Sequence, residues 1–298
     1  MPGLWIRHWL LVCCLLCGSA AQAATIILSG ATDQAAISAF GAALAERRPA
    51  DKVEFVPLQR LPVPAAIPDT ARLILFGSEA LDWRLSTHQG PPTLILRVSQ
   101  EQARQRLGTT RPDNLSLLWS EPAPARQLRL AKLLLPHAKR IGVLHDRHSE
   151  FLIDELRPIA AELDLQIIAQ DWPDTRDNRP LLSLLGRSDL LLGLNDSDLY
   201  NSQTAKSLLL TSYSQQRTLI GPNAGFVRAG SLASSYSDKA DWLASLDQLL
   251  DQPPENWPSA GYPAYFKVLG NRQVARALAI EMAEDAQLTR QVAEGENP

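Results

Sequence analysis

Short apolar runs recur along the chain, each followed by a polar or Gly-containing loop. The first series is Ile26 to Leu28, Val53 to Leu58, Leu73 to Phe76 and Thr93 to Val98. The series restarts with Arg140 to Leu144, Leu165 to Ala169, Leu190 to Leu194 and Thr218 to Ile220. Between them lie stretches with apolar residues at helical spacing, such as Ile37, Phe40 and Leu44 within a helix expected over Gln34 to Arg47. Apolar runs of this length alternating with helices predict parallel sheets buried on both faces. Two such series predict an α/β fold of two Rossmann-like lobes, and a cleft between lobes is where a small ligand binds.

The element boundaries come from local signals. Thr32 or Asp33 is the expected N-cap of the first helix, and Ser78 can cap a helix beginning after Gly77. Ser99 with Gln102 makes a capping-box pattern. Leu115 to Trp119 reads as a strand leading to Glu121-Pro122-Ala123-Pro124, which marks the first crossing between lobes. Helices are expected over Ala125 to Leu135, Glu150 to Leu163, Asn201 to Gln215, Lys239 to Leu250 and Asn271 to Ile280. The small residues of Ala229 to Tyr236 suit a strand or hinge packed closely on other backbone. Tyr265 to Leu269 can add a strand, and the chain past Glu294 is expected to fray.

The N-terminus does not belong to this pattern. Arg7 and His8 precede an apolar run, Trp9 to Cys17, too short to span a bilayer, and Ala21-Gln22-Ala23 is an A-x-A cleavage signature. A removable signal peptide over residues 1–23 places the mature protein in the periplasm. A lipoprotein signal at Cys17 is the alternative, with Leu16 where a small residue is expected. All 3 cysteines (Cys13, Cys14 and Cys17) lie in this segment. The mature chain then has no disulfide, thiolate metal site or cysteine nucleophile.

Composition narrows the function classes. The 298 residues are 45% hydrophobic and 20% charged, with a net charge of −3, which fits a chain with a real core. No basic stripe with interleaved aromatics is present, so no nucleic-acid partner is expected. The G-x-G-x-x-G, P-loop and G-x-S-x-G patterns are absent. His145 and His148 have no supporting cluster, and no metal or cofactor is expected. Asp146, Asp196 and Asp198 can serve acid–base work or a hard cation, or simply brace solvated loops. Trp83, Trp119, Trp172, Trp242 and Trp257 can stack on a ligand ring or pack in the core.

Ligands of open parallel sheets sit beyond the carboxyl ends of the strands. The loops there are rich in Ser, Thr, Asp and Asn, residue types that cap helices or bind ligands. The chain resembles the TrpX-like family of ABC-transporter substrate-binding proteins in Asp189-Leu-Leu-Leu-Gly-Leu-Asn-Asp-Ser-Asp198, Leu209-Leu-Thr-Ser-Tyr213 and Leu219-Ile-Gly-Pro-Asn223. The resemblance continues through Phe226-Val-Arg-Ala-Gly-Ser-Leu-Ala233 and Asn271-Arg-Gln-Val-Ala-Arg-Ala-Leu278, with Pro124 to Pro136 and Arg140 to Leu144. It implies the type I periplasmic-binding-protein fold: two lobes, joined by three crossings, closing on a small ligand. In that frame residues 24–120 with about 237–263 make the N-terminal lobe. Residues 121–236 with about 264–298 make the C-terminal one, and the crossings fall near Glu121 to Pro124, Ser234 to Tyr236 and Tyr262 to Phe266.

The residues matching the family's pocket loops are Ser29, Thr32, Gly77, Ser78, Asp146, Ser149, Asn195, Asp196 and Asn223. Tyr236 completes the candidate ligand-binding set. The family's G-T-P-A loop reads Gly77-Ser78-Glu79-Ala80 here, and Glu79 adds a negative charge where amino-acid carboxylates are often held. The expectation is a small polar or zwitterionic ligand, with Asp196 pairing an amine and Ser29 or Ser78 meeting the other end. The resemblance implies a non-enzymatic binding protein that hands its solute to a membrane permease. A sensory subunit that signals to a membrane protein is the alternative. An exported enzyme using Asp146, Asp196 and Asp198 is a third reading.

Overall fold

A computed structural model describes residues 24–108 and 111–296. The expected signal peptide and the lipoprotein alternative at Cys17 lie outside the described residues. The first sheet takes β1 (Thr25–Gly30), β2 (Lys52–Phe55), β3 (Ala71–Phe76), β4 (Thr93–Val98), β5 (Leu115–Trp119) and β11 (Ala260–Gly261). The second takes β6 (Arg140–His145), β7 (Gln166–Asp171), β8 (Leu190–Leu192), β9 (Leu219–Ile220), β10 (Ala233–Tyr236) and β12 (Lys267–Gly270). Their strand orders are β2-β1-β3-β4-β5-β11 and β7-β6-β8-β9-β10-β12, the same winding twice. Only the last strand differs: β11 runs parallel to β5, whereas β12 runs antiparallel to β10.

The buried side chains explain the layers. On one face of the first sheet, Ile26 and Leu28 of β1 meet Ile37, Phe40 and Leu44 of α1 (Gln34–Arg47) and Leu243, Leu246 and Leu250 of α9 (Lys239–Leu250). On the other face, Leu73 and Leu75 of β3 meet Ala80 and Leu81 of α2 (Ser78–Arg84) and Ala103 of α3 (Gln100–Arg106). The second sheet buries Ile141 and Val143 with α4 (Pro124–Leu134), α5 (Phe151–Glu162), α6 (Arg179–Arg187) and α7 (Ala205–Ser214). Burying one such Leu or Ile contributes about 1.5–3 kcal/mol, so each sheet is anchored many times over. The indole of Trp172 is completely enclosed in this second core and donates to the Asp177 carbonyl.

The expected elements are present with shifted ends. The second strand stops at Phe55, because Pro57 and a 3₁₀ turn at Leu58–Arg60 redirect the chain. The helix expected from Asn201 starts at Ala205; Asn201 Oδ1 instead accepts from the amides of Gln203 and Thr204 in a preceding turn. Asp33 holds the N-cap position of α1, but in a left-handed conformation and with no side-chain cap bond. The Ser99–Gln102 capping box forms as its spacing predicts. The chain past Glu294 is not loose as far as Glu296, whose carboxylate pairs with Arg126 at 2.6 Å. The short α6, α8 (Ala224–Ala229), α10 (Arg272–Ala277) and α11 (Asp285–Glu294) complete the fold.

The chain leaves the first sheet after β5, returns to it after β10, and leaves again after β11. All three passages are tied to residues 121–127. The Gln100 amide donates to the Glu121 carboxylate at 2.7 Å. Arg126 donates to the Pro263 carbonyl at 2.8 Å, and Gln127 Oε1 accepts from the Ser235 amide at 2.8 Å. Arg126 and Gln127 are both buried, so these hydrogen bonds are shielded from water and specific in geometry.

Candidate functional site

The strand order reverses between β1 and β3 in the first sheet and between β6 and β8 in the second. In open α/β sheets a crevice opens at that reversal, beyond the carboxyl ends. The predicted site residues sit at these ends, but the two sheets treat them differently.

In the second sheet they hold one another. Asp146 Oδ1 accepts from the backbone amides of His148 and Ser149 at 2.7 and 3.0 Å. The Ser149 hydroxyl donates to Asp196 Oδ2. Asp196 Oδ1 accepts from the amides of Asp198 and Leu199 at 2.9 and 3.0 Å. Asp196 is only 3% exposed. Burial raises its pKa from the ordinary value, opposed by the Ser149 and Leu199 hydrogen bonds. The carboxylate expected to meet a ligand amine is therefore engaged in joining two loops of its own sheet. Asn223 caps α8, accepting from the Phe226 amide at 3.1 Å.

In the first sheet the corresponding groups are open or strained. Ser29 is fully buried, and its hydroxyl has no hydrogen-bond partner among the described residues. Thr32 is exposed. Gly77 has φ +85°, with no atom within 4 Å of where a Cβ would stand, so only glycine makes this turn without strain. Ser78 opens α2 and is half-buried. Arg97, at the end of β4, has φ 60°, where the pairing of β4 with β5 slips between Leu96 and Val98. A left-handed backbone costs a non-glycine residue about 1–2 kcal/mol.

Three contiguous recesses lie between the sheets. One of about 740 Å³ is lined by Arg97, Glu101, Asn195, Asp198 and Trp242, among others. A second of about 330 Å³ lies between Ser120, Glu121, Asn223, Tyr236 and Phe266. A third of about 40 Å³ lies between Gln100, Glu121, Asn195 and Tyr262. Of the expected residues, Asn195, Asn223 and Tyr236 thus line the cleft. Ser29, Thr32, Gly77, Ser78, Asp146, Ser149 and Asp196 are not among those lining these three recesses. Trp242, one of the tryptophans expected either to stack on a ligand ring or to pack in the core, lines the largest of the three, and Arg97, Gln100, Glu121 and Tyr262 line them although the sequence pattern did not single them out as ligand-binding. A signal for Arg97 and Glu121 is present in the sequence, since each stands at or just past the end of an expected strand.

Burial and position perturb the cleft's acids. Burial pushes Glu121 up to about 7, helped by the Glu155 carboxylate and opposed by hydrogen bonds from Gln100 and Ser120. Burial also raises Glu101, and the carboxylates of Asp196, Asp146 and Asp198 add to it. Gln100 joins the sides: with its amide nitrogen toward Glu155 it donates to both carboxylate oxygens at 3.0 and 3.1 Å and accepts from the Tyr262 hydroxyl. Nearby, the Arg104 guanidinium lies 4.7 Å above the Phe151 ring. Among the described residues no group of three or more His, Cys, Asp or Glu side chains is placed to hold a metal ion. Nor is any helix there long and apolar enough to cross a membrane.

Two similarly wound α/β sheets with a cleft between them define the two-lobed fold of periplasmic binding proteins. Solved structures with this fold cover nearly the whole chain. A ligand-free, open substrate-binding protein with adhesive properties from Clostridium difficile matches with a TM-score of 0.66 at 17% identity, over 88% of this chain and 97% of that one. An ABC domain in complex with L-Trp from Streptococcus pneumoniae matches with a TM-score of 0.55 at 18% identity, over 90% of this chain and 98% of that one. A conserved domain protein from Vibrio cholerae matches with a TM-score of 0.55 at 16% identity, over 89% and 98%. No protein-family model and no curated protein matches the chain.

Proposed function

We propose that this chain is an exported solute-binding protein whose two lobes close on a small ligand and deliver it to a membrane importer. The observation that carries the reading is the cleft itself. Residues of both sheets line it, and all three chain passages run beside it, tied by Glu121, Arg126 and Gln127. Such an arrangement lets the lobes move as bodies about one locus with few contacts to break. On this reading the bodies are residues 24–120 with 237–263, and 121–236 with 264–298. One structural neighbour holds L-Trp and another is an open substrate-binding protein, which supports binding of a small solute in the cleft. An enzyme built on Asp146 and Asp196 is disfavoured, because both carboxylates are occupied by hydrogen bonds within their own sheet.

The test is a thermal-shift screen of the mature protein against small carboxylates, amines, amino acids and sugars. A true ligand at about 100 times its Kd stabilises by roughly 2.7 kcal/mol. Small-angle scattering should show compaction with that ligand, and deletion of the gene should abolish uptake of it. A screen in which no solute raises Tm overturns the binding reading. Uptake unchanged by deletion overturns delivery alone. Mass spectrometry of the exported protein should find Ala24 at the N-terminus.

A further inference from the structure

The cations of the cleft are unequal. Lys239 donates to the Ala39 carbonyl at 3.1 Å, and Arg106 bonds to Asp82 and to the Gln102 carbonyl. Arg126 holds Glu296 and the Pro263 carbonyl. Arg97 alone among these four makes no hydrogen bond within the described residues. Its nearest counter-charge is Asp33, at 3.9 Å, with both side chains largely exposed. Such a contact is screened by water and contributes little, so the guanidinium keeps its donors.

The backbone of Arg97 is also unusual. It sits in the left-handed region at a slip in the β4–β5 register. A bulge of this kind turns a side chain out of its regular alternation, and strain held at one residue of a rigid sheet points to use of that residue. The turned side chain lines two recesses at once. One is the 740 Å³ recess between the sheets. The other, of about 300 Å³, is walled by Ile37, Phe40, Phe76 and Trp242 on its apolar side and by Asp238 and Lys239 on the other, where Asp238 is paired with Lys267 and Lys239 with the Ala39 carbonyl. Phe40 and Phe76 meet edge to face at 5.3 Å, a fixed aromatic corner.

We infer that Arg97 is the specificity-determining residue of the cleft, taking the carboxylate of a small organic acid whose apolar body fills the recess of Phe40, Phe76 and Trp242. A planar guanidinium with free donors matches a carboxylate in two parallel hydrogen bonds, which an amide or an ammonium cannot reproduce. Glu101 and Asp198 line the larger recess, and its other cation, Arg106, is paired with Asp82 at 3.1 Å, so a second anionic group meets net negative charge there and a monocarboxylate fits better than a dicarboxylate. This inference rests on the binding reading above and adds the ligand's chemical class.

The probes are three molecules of one shape: 3-phenylpropionate, 3-phenylpropanamide and 3-phenylpropylamine, measured by calorimetry on the mature protein. The carboxylate should bind at least tenfold tighter than either of the others. Arg97→Gln removes the charge and shortens the side chain; with a circular dichroism spectrum and Tm matching the parent's, it should remove that preference. Arg97→Lys should restore part of it. Equal binding of the three probes, no binding of the carboxylate at millimolar concentration, or a preference that survives Arg97→Gln each overturns the inference. In those cases any other solute that raises Tm in the broad screen leaves the binding reading standing, and the two failures are told apart.

Discussion

At the carboxyl ends of the second sheet, Asp146, Ser149 and Asp196 satisfy one another and the amides around them. At the same ends of the first sheet the Ser29 hydroxyl has no partner among the described residues, and Asp33, Gly77 and Arg97 hold positive φ. The two sheets share their winding, so the difference is not one of fold. It lies in where polar groups find partners. A loop whose carboxylates are internally satisfied is rigid and offers little to a ligand. A buried hydroxyl without a partner and residues held at positive φ leave stability unrealised.

The contrast breaks or sharpens on four substitutions. Asp196→Ala strips an acceptor from Ser149 and two amides in a buried setting, so denaturant unfolding should show a loss of about 3 kcal/mol. Ligand affinity should change less than threefold. A tenfold loss of affinity with unchanged stability would make this loop a recognition loop and erase the contrast.

Glu121 lies where the two sides meet. Burial holds its pKa at about 7, above the ordinary 4.5, so the folded state binds its proton more tightly than the unfolded chain does. Its contribution is full below about pH 4.5 and is lost as pH rises through about 7. Glu121→Gln removes that dependence and should be more stable than the parent at pH 8, by up to about 3 kcal/mol. Stability curves that stay parallel from pH 4 to 8 would contradict it.

Arg97→Gly releases the left-handed strain but adds unfolded-state freedom, for a net gain of about 0.5–1 kcal/mol. A gain in Tm with loss of carboxylate binding would join the strain to the recognition; a fall in Tm would show that Arg97 is a structural brace. Asp33→Gly should move stability by no more than a few tenths of a kcal/mol, since Asp tolerates left-handed backbone. A change above about 1 kcal/mol in the same denaturant measurement would show Asp33 to be as strained as Arg97.

The sequence by itself determined the elements and their order. Strands such as β3 and β4 are continuous apolar runs because both of their faces are covered, and a run of that kind is visible without a structure. The Ser99–Gln102 capping box was legible for the same reason: its partners are three residues apart. The rule that ligands lie beyond strand ends named Asn195 and Asn223, which line the cleft, and also Ser29, Ser78 and Asp196, which are not among those lining its three recesses. What only the tertiary structure decided is which polar group is spent and which is free. Asp196 is spent on Ser149, 47 positions away, and Gln127 on Ser235, 108 positions away. Arg97, which stands at a register slip with β5, makes no side-chain hydrogen bond among the described residues. Local pattern names a Ser, an Asp or an Arg; its partner is chosen by chain brought near from far along the sequence, and satisfaction of buried polar groups is settled only there.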